Sequence, residues 1–296
     1  MTVDSAENSS VRGGRLRQAA VNVSVTNLVG ASIVAGLVVV ATVGPELTPY
    51  SPVEQQLENR LASPSRAHPL GTDQLGRDVL TRIVYGARIS LGLAVLVTAI
   101  RLSLGVAVGL VAGYVGGWLD SALMRTVDVQ LAFPGIVLAL VIAGMLGPSL
   151  TNIMIALAVV GWASYARVVR SSVLSLKQQS FVDASRLAGR PSSAIAVRVL
   201  LPNVLAPVIV LATLNIGTVI IGIAGLSFIG LGAQPPTAEW GRMISEGRPF
   251  IQSAWWVVTT PGVVIMITVI GFNLLGDGLR DALATDETSE QHGGGL

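Results

Sequence analysis

The side chains able to do chemistry are few, and they stand in unusual places. Arg101 lies in the middle of one apolar run and Asp128 in the next. A guanidinium at membrane depth has to face protein or a watery cavity, so Arg101 is a functional residue by default. It either draws in a substrate carboxylate or pairs with Asp128, and of the two the structural pair is the expectation. The second group is a polar, Arg-bearing stretch, Ser180-Phe181-Val182-Asp183-Ala184-Ser185-Arg186-Leu187-Ala188-Gly189, which continues past Arg198 to Leu201-Pro202-Asn203 between strongly apolar sequences. Its chemistry is recognition: a membrane protein that keeps such a hook on one side offers it to a soluble partner, the plainer alternative being a solvated interhelical loop.

Catalytic constellations are missing. There are no cysteines, which removes disulfides, thiolate metal sites and a Cys nucleophile. Two histidines, His68 and His292, leave nothing from which to build a His metal cage or a charge-relay triad. No glycine-rich phosphate loop occurs, so the chain does not itself bind ATP in that way. Gly225-Leu226-Ser227-Phe228 lacks the second glycine of a hydrolase elbow. The sequence reads as a non-enzyme with no cofactor or metal of its own.

The elements that hold these residues follow from composition. The chain has 296 residues, 51% hydrophobic and 12% charged, where soluble domains carry about 25% charge. A mean hydropathy of +0.68 agrees. The net charge of +2 is too small to suggest nucleic acid as a partner. The pattern predicts an all-α polytopic membrane protein with six transmembrane helices, near 23–43, 89–114, 123–145, 150–169, 203–229 and 257–275. A run of about twenty residues at about 1.5 Å each crosses a core about 30 Å thick. The first run is too long for the apolar core of a signal peptide, so it reads as an uncleaved span.

Within this plan residues 1–22 form a polar N-terminal tail, 44–87 an extracytoplasmic segment, 88–284 a five-helix core containing the hook at 178–202, and 285–296 an acidic, Gly-rich tail expected to be disordered. Gly105, Gly109, Gly113 and Gly117 recur every four residues, a small-residue row suited to close helix packing. Pro134 should kink the third span, and Trp255 and Trp256 should sit in an interfacial belt. In the first outer segment a helix is expected to be capped near Thr72, with Asp78 paired to Arg82 at i, i+4 and His68 solvated. In the hook, Ser180 and Asp183 have capping-box spacing, Gly189 suits an αL stop, Ser192 can cap a second short helix and Pro202 should end it. Phe181, Ala184 and Ala188 give the first hook helix one apolar face. Arg167, Arg170, Lys177, Arg186, Arg190 and Arg198 near the hook, with Arg12, Arg15 and Arg17 in the N-terminal tail, put the hook and both termini in the cytoplasm.

The hook resembles the cytoplasmic loop of ATP-binding-cassette importer permeases: Asp183-Ala184-Ser185, Gly189 and Leu201-Pro202 match the Glu-Ala-Ala, Gly and Leu-Pro spacing, with Asp and Ser as departures. His68-Pro69-Leu70-Gly71-Thr72-Asp73 with Gly76-Arg77-Asp78 is similar to one permease subunit of dipeptide, oligopeptide and nickel importers. So are Ala224-Gly225-Leu226-Ser227-Phe228 through Trp240-Gly241, and Phe272-Asn273 through Asp281. The resemblance implies a type I importer (MetI-like) permease fold in the bacterial cytoplasmic membrane. It implies a homologous second permease, two ATPase subunits that bind the ATP and Mg, an extracytoplasmic substrate-binding protein, and a peptide, or alternatively nickel or another small solute, as cargo. ATPase coupling would fall on Phe181, Asp183, Ala184, Ser185, Arg186 and Gly189.

Overall fold

The structure is a computed structural model that describes residues 25–293, with side chains to residue 282. The N-terminal tail with Arg12, Arg15 and Arg17 lies outside the described residues. Helix α1 (Val25–Thr42) leads into an irregular segment with two single helical turns, and the long α2 (Val79–Val115) follows. After a glycine turn come α3 (Gly117–Leu131) and α4 (Gly135–Leu146), then α5 (Leu150–Leu176). The hook helix α6 (Ser180–Leu187) precedes α7 (Leu201–Phe228), the short α8 (Trp240–Gly247) and α9 (Trp256–Gly293). Among the described residues five helices are long and apolar enough to cross a membrane, and six spans result if the bent α3–α4 pair counts as one. The bend there is 86°, a break rather than a kink, because Pro134 follows the end of α3 and starts α4 with extended backbone. The backbone of α9 is helical to Gly293.

The glycine row does what its spacing predicts. Gly105, Gly109 and Gly113 all lie against α5, and a methyl group added at Gly109 would stand 2.5 Å from the Ala166 carbonyl oxygen and 2.7 Å from Val169 Cβ. Gly117 leaves the row: it has φ +63° in the turn to α3. Because the nearest atom to position 109 is backbone, α2 and α5 would have to separate to admit a side chain. Gly109→Leu is expected to destabilise the subunit by at least about 1–3 kcal/mol, read as a lower melting temperature of the purified assembly in detergent.

Away from the hook, residues 44–78 and 231–254 fold over the other end of the bundle, joined by buried charge. Arg77 and Arg82, 2% and 1% exposed, share Asp73 and Glu246: Arg77 Nε–Asp73 is 2.6 Å and Arg77 Nη2–Glu246 is 2.8 Å, with Arg82 3.5 Å from each carboxylate. Arg242 adds a 3.0 Å bond to Glu246. Burial alone would raise the Glu246 carboxyl, but Arg77, with Arg242 and Arg82, holds it below the ordinary value. This corner of the structure corrects four expectations. Asp78, not Thr72, caps α2 by accepting from the Thr81 amide at 2.7 Å, so it does not pair with Arg82. His68 is buried, with Nδ1 3.0 Å from Asp78, instead of solvated. Trp256 is buried and donates to the Thr72 carbonyl, leaving only Trp255 exposed at the rim. Glu239 caps α8 through the amides of Gly241 and Arg242; its burial pushes the carboxyl up, against those two bonds.

Candidate functional site

The hook begins where α5 ends. Lys177, the single lysine, closes α5 and donates to the Gly113 and Tyr114 carbonyls at 3.1 and 2.9 Å, covering two of the free carbonyls at the C-terminus of α2. Helix α6 follows at Ser180, as expected, but no capping box forms. Gln179 holds the cap position without a side-chain bond, and Asp183 instead pairs with Arg186 at 2.8 Å. Ser185 Oγ bonds back to the Phe181 carbonyl.

The C-terminal stop is complete. Gly189 has φ +71°, its amide donates to Arg186 O, and the Arg190 amide donates to Ser185 O: the paired bonds of a Schellman turn. Nothing lies within 4 Å of a Cβ built on Gly189, so glycine is needed there for its backbone angle and not for space. The second leg departs from expectation. Pro191, not Ser192, occupies the cap position, and the Ser192–Ile195 turn runs through a π turn, Ala196–Leu200, into α7. Pro202 therefore lies within a helix that runs on from the π turn, which accommodates the missing N–H, and the chain does not stop.

One face of the hook is anchored and the other is open. Val182 is fully buried with Ile195 and Leu200 against Val169 and Val173 of α5 and Val204 and Val208 of α7. Phe181, Ala184, Leu187 and Ala188 face outward, with Leu187 90% exposed. Beside them, Arg190 and Arg198 line an open hollow of about 740 Å³. Sequence reasoning missed Val182 as the anchor and Leu187 as the most exposed apolar side chain.

Arg101 and Asp128 are not partners. Asp128 pairs with Arg167 of α5, and Asp120 forms a two-pronged pair with Arg170 at 2.5 and 2.7 Å, so α3 is tied to α5 by two arginines one turn apart. Arg101 is buried on the other side of α5, its Nε donating to the Leu157 carbonyl at 2.8 Å. Gln130 and Asn152 are interhelical or turn hydrogen-bonders, to the Val160 and Leu146 carbonyls.

A bundle of membrane-length helices, with an anchored helical hook presenting an apolar face beyond its end, is the geometry of a polytopic membrane protein with a docking element at one end. Residues 105–287 match the family described as binding-protein-dependent transport system inner membrane component. The dipeptide transport system permease DppC of Alkalihalophilus pseudofirmus is 48% identical over 86% of this chain and 84% of its own. The nickel transport system permease NikC of Escherichia coli K12 is 44% identical over 85% and 91%. A chain of the MetNI methionine ABC transporter, 22% identical, superimposes with a TM-score of 0.54 over 68% of this chain and 95% of that one, and so shares the fold. The chain belongs to the binding-protein-dependent inner-membrane permease family. It is an importer permease subunit with the type I fold, not an enzyme.

Proposed function

We propose that this chain is a translocation subunit of an ATP-driven importer of di- and oligopeptides. The observation that carries the cargo is the 48% identity, over most of both chains, to a dipeptide permease; a di/tripeptide permease of Pseudomonas aeruginosa at 43% points the same way. In this reading the subunit pairs with a homologous second permease in the lipid bilayer and stands on two ATPase subunits that hold the ATP and Mg. A substrate-binding protein delivers peptide from outside to the 44–87 and 231–254 segments. Hook and termini face the cytoplasm, in keeping with Arg167, Arg170, Lys177, Arg186, Arg190 and Arg198 at that end. The outward face of α6, with Phe181, Ala184 and Leu187, enters a groove on one ATPase, while Asp183–Arg186 and Ser185 stiffen the helix. Movement of the ATPase reaches α5 and α7 through Val182, because packed cores shift as units.

The nickel permease, at 44%, keeps nickel as the second reading. Cells lacking the chain are expected to lose uptake of labelled di- to hexapeptides while nickel uptake persists. Undiminished peptide uptake, or loss of nickel uptake alone, overturns the peptide reading.

A further inference from the structure

Arg101 remains without an anion. Among the described residues no carboxylate lies within ion-pair distance of it, and its one protein bond is from Nε to Leu157 O. Yet its seat is built. Gly161 of α5 leaves the space that the guanidinium fills, since any side chain there would overlap Arg101. Tyr165, one turn further along α5, is 1% exposed and packs against Gly105, one turn beyond Arg101 on α2. Its hydroxyl lies beside Asn215 of α7 but makes no well-formed hydrogen bond. Thr98, three residues before Arg101 on α2, is also buried with its hydroxyl unbonded. Buried polar groups left unpaired in a native fold call for an explanation, and a bound ligand is one. The terminal guanidinium nitrogens can only donate, and both hydroxyls can donate as well. A ligand that satisfies them all is an acceptor carrying negative charge. A carboxylate meets Arg in paired, charge-assisted bonds.

We propose that Arg101, with Tyr165 and Thr98, forms a carboxylate-binding site at mid-membrane depth that holds a translocating peptide by its C-terminal carboxylate. The site rests on the peptide reading above. It is specificity-determining: at equal delivery, a peptide acid passes better than its C-terminal amide, which has the same size without the charge.

The test uses the full importer in proteoliposomes, supplied with binding protein loaded to equal occupancy with a labelled dipeptide or with its amide. The wild type is expected to favour the acid. Arg101→Gln should collapse the acid-to-amide ratio by about tenfold, the loss of a charge-assisted hydrogen-bonded pair. Tyr165→Phe, which keeps the ring and its packing, should lower the ratio in the same direction by less. An unchanged ratio in both variants overturns the proposal. So does loss of the second permease from purified Arg101→Gln complexes while Tyr165→Phe leaves the ratio intact, because the carboxylate would then come from the neighbouring subunit. Import of neither peptide form by the wild type refutes the peptide reading itself, a failure distinct from a wild type that imports both without preference.

Discussion

Gly189→Pro is expected to abolish uptake, at least about 100-fold below wild type, while the subunit still reaches the membrane. Proline at this position fails on three counts. It fixes φ near about −65° where the chain has φ +71°. It also removes the amide that closes the turn on Arg186 O, at 2.9 Å. And it disfavours the helical backbone of the preceding residue, Ala188, which caps α6 with φ −72° and ψ 7°. The series Asn, Ala, Pro at 189 separates backbone angle from space. Asparagine visits the left-handed region and should leave uptake near wild type. Alanine there costs about 1–2 kcal/mol and should lower it severalfold, although nothing stands within 4 Å to obstruct its methyl group. If ATPases co-purify normally and uptake survives Gly189→Pro, the hook is a solvated loop and the coupling reading fails.

That series shows how far sequence carries. Gly189 was legible because a left-handed stop is a local requirement, met by glycine or asparagine and by two neighbouring bonds. The spans were legible for a similar reason, since hydropathy is a property of the segment alone. The pairings were not. Asp78 and Arg82 have ideal helical spacing, but each had better partners: Asp78 the α2 amides and His68, Arg82 the carboxylate of Glu246, 164 residues away. Arg101 and Asp128 failed likewise, because Arg167, on the far face of α5, reaches Asp128 first. Pro202 misled for a different reason. Proline forbids a helical bond to the residue four back, and a π turn at Ala196–Leu200 absorbs that demand without breaking the axis. Burial also reorganised the hook: the face drawn from Phe181, Ala184 and Ala188 does exist, but it points away from the bundle, and Val182 holds the helix down.

The second large effect is expected at the opposite end. Glu246→Ala should destabilise the subunit by about 3–5 kcal/mol, the usual result of removing one partner from a buried ion pair. Arg77 and Arg82 are both almost wholly buried, and without Glu246 they would share Asp73 alone. Glu246→Gln keeps the shape and one acceptor oxygen and should cost less. The pH dependence distinguishes charge from packing. Glu246 is held below its ordinary value in the folded protein, while in the unfolded chain it titrates near about 4.3. The unfolded state therefore binds the proton first on acidification. The stabilisation is complete above about pH 4.3 and disappears as pH falls through the lower folded value. Thermal unfolding of wild type and Glu246→Gln should therefore show a gap that is constant from neutral to mildly acidic pH and closes only below that window. A gap that closes near neutral pH would place the titration elsewhere, and one that never closes would mean that Glu246 acts by packing. Because this network ties residues 44–78 to 231–254, and those segments cover the ends of α2, α7 and α9 away from the hook, its loss should weaken the subunit without changing the acid-to-amide ratio at Arg101.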